Sequence, residues 1–417
     1  MLRQTNALAI RGGEPVIRRQ LDFDKGVSFI GEAEKRAVAE VLDSRLLLRH
    51  HGTKVSTFEG AFAEHLGARF VLACSSGTTA LRLGLTALHV GPGDEVVVPA
   101  ITFIACVGAV VAQGARPVFC DVDEHLTLDA AALVTRLTSR TRAVMPVHLY
   151  GTACDIDAIR AVCRPAGVAV LEDTAQACGA RVEGRCLGTF GEAGAFSFQQ
   201  GKMMTSGEGG ALATNDEETY HRAVRYHDHG NDFPLLQGEQ RAPAGGAAFL
   251  GENFRMSEMA GAMLLCQLER LDGLIENTRR VRGAIEAGIS DLPLELVGGP
   301  RTRDATGIAL RFPTKERALR YMAAFRAEGV PCGRLYDGKP VYAVEQVMRR
   351  LTATRSCAFQ CPAWPAPEAP LYSPGMCARG EDLVARTVGI AVGPAYTDTD
   401  IEDVVLAIRK VTEVLTA

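Results

Sequence analysis

The chain has 417 residues, of which 47% are hydrophobic and 23% charged, and its formal net charge is -4. These fractions are typical of globular proteins and exclude collagen-like, low-complexity and disordered classes. The near-neutral charge balance also argues against nucleic-acid binding, which requires an excess of Lys and Arg on one surface. This charge balance makes a small molecule the default ligand. At about 150 residues per domain, the length predicts two or three domains.

Targeting and metal-binding patterns are missing from the sequence. Every apolar run is shorter than the roughly 18 residues of a membrane span, and the first twenty residues lack the order of a signal peptide. None of the 12 cysteines forms a C-x-x-C pair, and no histidine follows His229 to complete a site with Cys357 and Cys361. We expect a cytoplasmic protein with no metal and no membrane partner, in which most cysteines are reduced and buried.

Short apolar runs alternate with stretches of helical period between residues 69 and 214. The runs predict strands at 69–74, 95–99, 117–122, 143–148, 168–173, 195–199 and 211–215, and the stretches between them predict helices at 79–88, 103–113, 128–138 and 155–163. Asp155 and Asp216 precede helical stretches and are candidate N-caps. This alternation predicts an α/β domain with a mostly parallel sheet.

The second half of the chain begins with a Gly/Pro-rich segment at 232–250, which predicts an excursion or hairpin. Helical period resumes at 257–271 and continues in a second helix to about residue 289, and Gly298-Gly299-Pro300 then marks a boundary. We therefore divide the chain into residues 1–290, an N-terminal segment plus a large domain, and residues 291–417, a smaller α+β domain. The smaller domain is predicted to contain a strand at 308–313, a helix at 315–328, a Pro-rich loop at 361–374 and a final helix at 398–414.

The motif C-S-S-G-T-T-A-L at 74–81 follows a predicted strand and opens a helix. Gly77 permits a sharp turn, and the free helix N–H groups, with the hydroxyls of Ser76 and Thr78, can hold an anion. Small residues at such a turn serve packing alone about as often.

Two further motifs contribute a carboxylate and an amine. In L-E-D-T-A-Q at 171–176, Asp173 ends a predicted buried strand. In an open α/β sheet the carboxyl ends of the strands face the ligand crevice, so this carboxylate can meet a ligand. A role of Asp173 as a helix N-cap is the structural alternative. In A-F-S-F-Q-Q-G-K, followed two residues later by T-S-G-E-G-G, Lys202 lies beyond a hydrophobic strand, where burial lowers a lysine pKa and makes the amine nucleophilic. A P-loop is excluded because residue 196 is Phe and residue 203 is Met.

The three motifs together predict pyridoxal phosphate (PLP) as the cofactor, although each is weak alone. The phosphate requires helix N–H groups and hydroxyls, the pyridine nitrogen requires a carboxylate, and the aldehyde requires a lysine.

With these motifs in place, the chain resembles the DegT/DnrJ/EryC1/StrS aminotransferases, which are PLP enzymes that aminate keto-sugars and cyclitols. The resemblance covers nearly the whole chain, from LAIRGGEPV through S-S-G-T-T-A-L, V-P-A-I-T-F, V-H-L-Y-G, E-D-T-A-Q, F-S-F-Q-Q-G-K and S-G-E-G-G to N-F-R-M-S-E and a final T-D-x-D-I-E helix. It implies PLP-dependent transferase fold type I, which is the aspartate-aminotransferase fold.

The resemblance also implies residue roles. Lys202 is the residue that binds the cofactor covalently and moves the proton, and Asp173 holds the pyridinium. Gln176 contacts the 3-hydroxyl side of the cofactor and Phe103 stacks on its ring. The phosphate contacts are Gly77, Thr78 and Ser197 in the same chain and Asn253 from the neighbouring subunit, so a homodimer is expected.

Some positions depart from the family pattern or carry alternative interpretations. Relatives often have His where Cys178 stands and a small residue in place of Thr174. The usual H-Y-P motif of the C-terminal domain appears as R-L-Y-D-G, which makes Tyr336 a candidate substrate contact. His148 and Tyr150 lie at a predicted strand end and are further candidates, although ordinary packing explains a histidine there equally well.

The function that follows is transfer of an amino group from glutamine or glutamate to a cyclic ketone, a sugar or cyclitol, in antibiotic or amino-sugar biosynthesis. Lys202 argues against a family offshoot that carries His at this position and performs dehydration. A second offshoot, 3-amino-5-hydroxybenzoate synthase, remains an alternative because its F-S-F-Q-x-G-K pattern is similar. A catalytically silent PLP-fold partner protein is the alternative of a different class.

Overall fold

The computed structural model describes residues 7–230, 249–353, 357–360 and 371–416. The predicted excursion at 232–250 and the Pro-rich loop at 361–374 therefore lie mostly outside the described residues, as does Cys361. Within the described part, no helix is long and apolar enough to cross a membrane.

A seven-stranded sheet forms the centre of the large domain, with the order β1-β9-β8-β5-β4-β2-β3. β9 runs antiparallel to β1 and β8, and the other pairings in this sheet are parallel. The strands up to this point of the chain, including a short hairpin of β6 and β7, are β1 (Phe70–Cys74), β2 (Glu95–Pro99), β3 (Arg116–Cys120), β4 (Thr141–Val144), β5 (Ala169–Asp173), β6 (Arg181–Val182), β7 (Arg185–Cys186), β8 (Ala193–Ser197) and β9 (Gly210–Thr214).

Helices cover both faces of this sheet. They are α1 (Glu32–Ser44), α2 (Lys54–Leu66), α3 (Gly77–Ala87), α4 (Ile104–Ala112), α5 (Ala130–Leu133), α6 (Ile156–Cys163), α7 (Glu217–His227), α8 (Glu258–Leu268) and α9 (Leu271–Gly288). Along β1, Val71 and Ala73 pack in one cluster with residues of α2, whereas Leu72 and Cys74 pack in another with residues of α3. Burial on both faces explains why the strand sequences are continuously apolar.

The mostly parallel α/β fold predicted from the sequence is confirmed. The β2 prediction matches at both ends, and Asp155 and Asp216 do cap α6 and α7 through the amides of Ala158 (3.2 Å) and Thr219 (2.7 Å). The helix predicted at 128–138 is wrong beyond its first turn. There the amides of Thr135 and Arg136 bond three residues back, and the chain turns into β4.

The small domain contains a four-stranded antiparallel sheet with the order β10-β11-β13-β12. Its strands are β10 (Glu295–Val297), β11 (Gly307–Arg311), β12 (Cys332–Gly333) and β13 (Thr387–Ala391), and the helices of this part of the chain are α10 (Lys315–Ala327), α11 (Glu345–Met348), α12 (Cys357–Gln360), α13 (Ala378–Arg386) and α14 (Asp398–Thr416). Packing crosses the expected boundary at residue 290 in both directions. Leu8, Ile17 and Leu21 lie in the core of the small domain, whereas Tyr342 and Tyr372 lie in a core of the large domain.

Glu328 fixes the N-terminal segment to the small domain. Its fully buried carboxylate accepts hydrogen bonds from the amides of Ala9 (2.8 Å) and Val16 (3.0 Å) and from Nζ of Lys410 (2.9 Å). One carboxylate thus satisfies two backbone donors and a largely buried cation.

We predict that Glu328→Ala lowers the free energy of unfolding by about 3 kcal/mol, because it leaves a buried ammonium without its counter-ion. Urea denaturation followed by circular dichroism measures this change. The control is Glu32→Ala, which removes an exposed pair with Lys35 and is expected to change stability by less than about 1 kcal/mol. Equal effects of the two substitutions would contradict the anchoring role of Glu328.

Candidate active site

The strand register brings three sequence motifs to one edge of the large sheet. Asp173 of β5 is paired with Ala195 of β8, and Gly210 of β9 is paired with both Ser197 of β8 and Cys74 of β1. Because β1, β5 and β8 point the same way, their carboxyl ends meet at this edge. This is where open α/β sheets bind ligands.

The turn from β1 into α3 is shaped by its hydroxyl groups. Ser76 is the N-cap of α3, its Oγ accepts from the amide of Thr79 (3.2 Å), and its own amide donates to Oγ1 of Thr79 (2.9 Å). This capping box occupies the Ser76 hydroxyl. The hydroxyl of Thr78 is exposed and has no hydrogen-bond partner among the described residues, so it can meet a ligand at the N-terminus of the helix.

Two glycines permit the close packing beneath this turn. A Cβ on Gly77 would lie 2.6 Å from Cβ of Ser197, and a Cβ on Gly210 would lie 2.3 Å from the carbonyl oxygen of Ser76. The result is a cradle of helix N–H groups with Ser197 as its floor. Helix N-termini of this kind bind phosphate, so the residues present fit the phosphate of PLP.

Asp173 is 5% exposed and is held by two hydrogen bonds. The amide of Ala175 donates to Oδ1 (3.0 Å), and the thiol of Cys106 in α4 donates to Oδ2 (3.0 Å). Burial, together with this carboxylate, raises the pKa of the Cys106 thiol well above its ordinary value, so the thiol keeps the proton that it donates. Cys106 was missed in the sequence, where a cysteine in an apolar helix gives no functional signal.

Lys202 lies just beyond β8 in a tight turn, where its amide donates to the carbonyl of Gln199 (2.9 Å) and its carbonyl accepts from the amide of Gly26 (3.2 Å). Burial lowers the pKa of its amine, and the carboxylate of Asp173, close enough to act on this charge, opposes the shift in part. A lysine with a lowered pKa has more of the neutral amine that attacks an aldehyde. Lys202 and Asp173 are thus brought together as the motifs predicted.

His148 lies at this edge, where its amide donates to the carbonyl of Asp173 (3.0 Å), but its side chain does not face the crevice and is packed in the core, which is the alternative that the sequence left open. Its ring is fully buried, with Nε2 3.0 Å from Oε2 of Glu172 and Nδ1 accepting from the amide of Cys154 (3.1 Å). Successive side chains of a strand point to opposite faces, so Glu172 and its histidine lie on the face of β5 away from Asp173.

Two tyrosines do lie at the margin of the crevice. The amide of Tyr150 donates to Oε1 of Gln176 (2.9 Å), which places both beyond the end of β5. The hydroxyl of Tyr336, from the small domain, accepts from the amide of Ile104 (2.7 Å) next to Phe103, whose ring is 56% exposed at the start of α4. These positions leave Tyr150 and Tyr336 available as substrate contacts.

The position that departs from the family pattern, Cys178, is buried in the apolar core between the sheet and α9. Thr174 is also fully buried, and its Oγ1 would lie 2.9 Å from a Cβ added at Gly188. Cys106, and not Cys178, bonds the carboxylate of Asp173. Asn253 is exposed and lies beside Asp228 through a single β-bridge.

Comparisons with known proteins agree with this arrangement. The family model described as "DegT/DnrJ/EryC1/StrS aminotransferase family" matches residues 28–409. GDP-perosamine synthase from Caulobacter vibrioides is 40% identical over 262 residues, which are 62% of this chain and 68% of that protein. A protein from Micromonospora echinospora, provisionally named L-glutamine:3-amino-2,3-dideoxy-scyllo-inosose aminotransferase, is 34% identical over 348 residues, which are 82% of this chain and 77% of its own.

Similarity extends to solved structures. The crystal structure of 3-amino-5-hydroxybenzoic acid synthase superposes with a TM-score of 0.79 at 29% identity, covering 93% of this chain and 97% of that one. The family match spans most of the chain and includes all the motifs around Asp173 and Lys202. The chain belongs to the DegT/DnrJ/EryC1/StrS family of PLP-dependent aminotransferases.

Proposed function

We propose that this enzyme transfers an amino group from L-glutamine or L-glutamate to the ketone of a sugar or cyclitol in antibiotic or amino-sugar biosynthesis. The observation that carries this proposal is the partly buried amine of Lys202 beside the carboxylate of Asp173, at the sheet edge that also holds the helix N-terminus. The ten described cysteines are unpaired, which supports the cytoplasmic location expected from the sequence.

The residues of the site have two kinds of role, cofactor binding and proton transfer. When bound, PLP supplies an aldehyde that captures amino groups and a ring that accepts electrons. Asp173, held by Cys106 and Ala175, would keep a negative charge at the ring nitrogen of bound PLP, and the amine of Lys202 would remove and return the proton of the reacting carbon.

The remaining residues would orient the cofactor. Phe103 would stack on its ring, and Gln176 would contact its 3-hydroxyl side. Gly77, Thr78 and Ser197 would hold the phosphate, together with Asn253 of the neighbouring subunit.

The names of the relatives support cyclic acceptors of two kinds. One relative is named for a nucleotide-linked sugar, and another for a cyclitol with L-glutamine as its amino donor. The likeness to 3-amino-5-hydroxybenzoic acid synthase over 93% of the chain favours a second candidate, formation of an aromatic amino acid at the same site. A catalytically silent role is disfavoured, because Lys202 and Asp173 are both present.

We predict that the PLP-loaded protein is yellow, that its absorbance band moves on addition of L-glutamine or L-glutamate, and that the band returns with the correct ketone. A spectrophotometric screen of nucleotide-linked keto-sugars against cyclitol ketones identifies the acceptor. Lys202→Ala should abolish multiple turnover, whereas Lys35→Ala, at an exposed lysine of α1, should not. Turnover by Lys202→Ala, or a wild-type protein that stays colourless with PLP, would refute the proposal.

The phosphate cradle gives a second prediction. Gly77→Ala should raise the Kd of PLP at least tenfold, because the added Cβ would lie 2.6 Å from Ser197 and push the two elements apart. Fluorescence titration of the cofactor-free protein measures this affinity. The matched control is Gly60→Ala, in the middle of α2, where a Cβ meets nothing within 4 Å. Unchanged affinity in Gly77→Ala would place the phosphate elsewhere.

An exposed apolar segment supports the proposed homodimer. Leu46, Leu47 and Leu48 are between 39% and 46% exposed, which is unusual for three consecutive leucines at a surface. The next residues lead to His50, whose Nε2 lies 2.6 Å from Oδ2 of Asp228, the bridge partner of Asn253. The leucines and Asn253 therefore share one region of the surface, as expected if Asn253 reaches the partner's cofactor.

We predict that Leu47→Arg weakens dimerisation and, with it, PLP affinity. Sedimentation velocity should show a larger monomer fraction for this variant, since a charge in an apolar interface lacks a partner. Leu406→Arg changes an exposed leucine of the small-domain helix α14 and should leave the protein dimeric. A Leu47→Arg variant that is as dimeric as wild type would place the interface on another surface.

A further inference from the structure

A cavity of about 460 Å³ lies between the small-domain sheet and the large domain. Its walls include residues of β11 and β13, most of them apolar, and Phe23, Lys25 and Tyr150 are also part of the lining. The residues that line it include no aspartate and no glutamate. The cavity thus combines an apolar interior with a net positive lining, which fits an anionic organic molecule.

Lys25 is a strong cation of this lining, and no carboxylate in the described parts of the chain lies within ion-pair distance of it. Its side chain is half-buried, and its Nζ lies 3.4 Å from the carbonyl oxygen of Gly201. The neighbouring residue Gly26 donates its amide to the carbonyl of Lys202 (3.2 Å), so this segment lies directly against the catalytic lysine. Arg334, the other strong cation in the lining, donates to the carbonyl of Ala385 (2.8 Å) and likewise forms no ion pair with a described residue.

Two ammonium groups held close together in a partly buried place are unfavourable without an anion. Burial lowers the pKa of Lys25, the charge of Lys202 lowers it further, and the carboxylate of Asp24 opposes the shift in part. Removing a cation from water without a partner is unfavourable, and a bound anion offsets this desolvation cost. A carboxylate carries the single negative charge that the ammonium of Lys25 can balance.

We propose that Lys25 binds the carboxylate of a substrate whose body occupies this cavity, next to Lys202. This inference rests on the proposed aminotransferase function and names a chemical class for one of its reactants. The carboxylate belongs either to the amino-acid donor or to the ketone acceptor. The phosphate cradle at Gly77 and Ser197 is built from other elements, so Lys25 acts on a substrate and not on the cofactor.

The test compares Lys25→Met and Lys25→Arg with the wild-type holoenzyme, and Lys35→Met is the matched surface control. Calorimetric titration with glutarate, a carboxylate that cannot react, measures binding directly. Lys25→Met should weaken glutarate binding at least tenfold, Lys25→Arg should restore much of it, and Lys35→Met should match wild type. The Kd of PLP should stay unchanged in all three variants.

Half-reaction kinetics identify which reactant carries the carboxylate. If it is the donor, Lys25→Met should lower kcat/KM for L-glutamate or L-glutamine at least tenfold and spare the acceptor half-reaction. If it is the acceptor, the pattern reverses, and a ketone that lacks a carboxylate is unaffected. Thermal melting tests whether Lys25→Met is folded. Removal of an unpaired, partly buried cation should not lower its Tm.

Loss of PLP affinity in Lys25→Met would overturn the proposal by assigning Lys25 to the cofactor. Unchanged glutarate binding and unchanged kinetics with reactants that carry a carboxylate would also overturn it, while leaving the proposed function standing. Glutarate binding that depends on Lys25, in a wild-type protein that transfers no amino group, would instead support the anion site and refute the proposed function.

Discussion

The alternation of side chains along β5 is the constraint on which the active site depends. Glu172 and Asp173 are neighbours, but the pleat directs them to opposite faces of the sheet. Glu172 accepts from His148 and from the amides of Gly188 and Gly191. Burial would raise the pKa of this carboxyl, but these hydrogen bonds outweigh burial and lower the pKa. The ionised Glu172 thereby fixes the strand end, and Asp173 faces the crevice with its position already set.

The N-terminal segment connects this site to the small domain. Leu8, Ile17 and Leu21 pack in the small-domain core, and a few residues later Gly26 bonds the backbone of Lys202. The same segment thus contacts both the small-domain core and the backbone of Lys202. Phe23 and Lys25 of this segment also line the cavity between the two domains.

Local sequence signals predicted the elements and residues whose geometry depends on residues close to them in the chain. Hydrophobic period predicted the strands, and residue type at the helix starts predicted the caps at Asp155 and Asp216. The motifs placed Asp173 at the end of one strand and Lys202 just beyond another. The sequence left His148 open between substrate contact and packing, because period alone does not reveal which face of a strand end is buried. Cys106 and Lys25 gave no signal, because their partners lie 67 and 176 residues away in the chain.

The central claim is that Lys202, and not the adjacent Lys25, forms the covalent bond to PLP. Borohydride reduction of the loaded protein, followed by peptide mapping with mass spectrometry, locates that bond. The account predicts the pyridoxyl mass increment on the peptide that contains Lys202, with the peptide that contains Lys25 unmodified. An increment on Lys25, or on neither lysine, would contradict it.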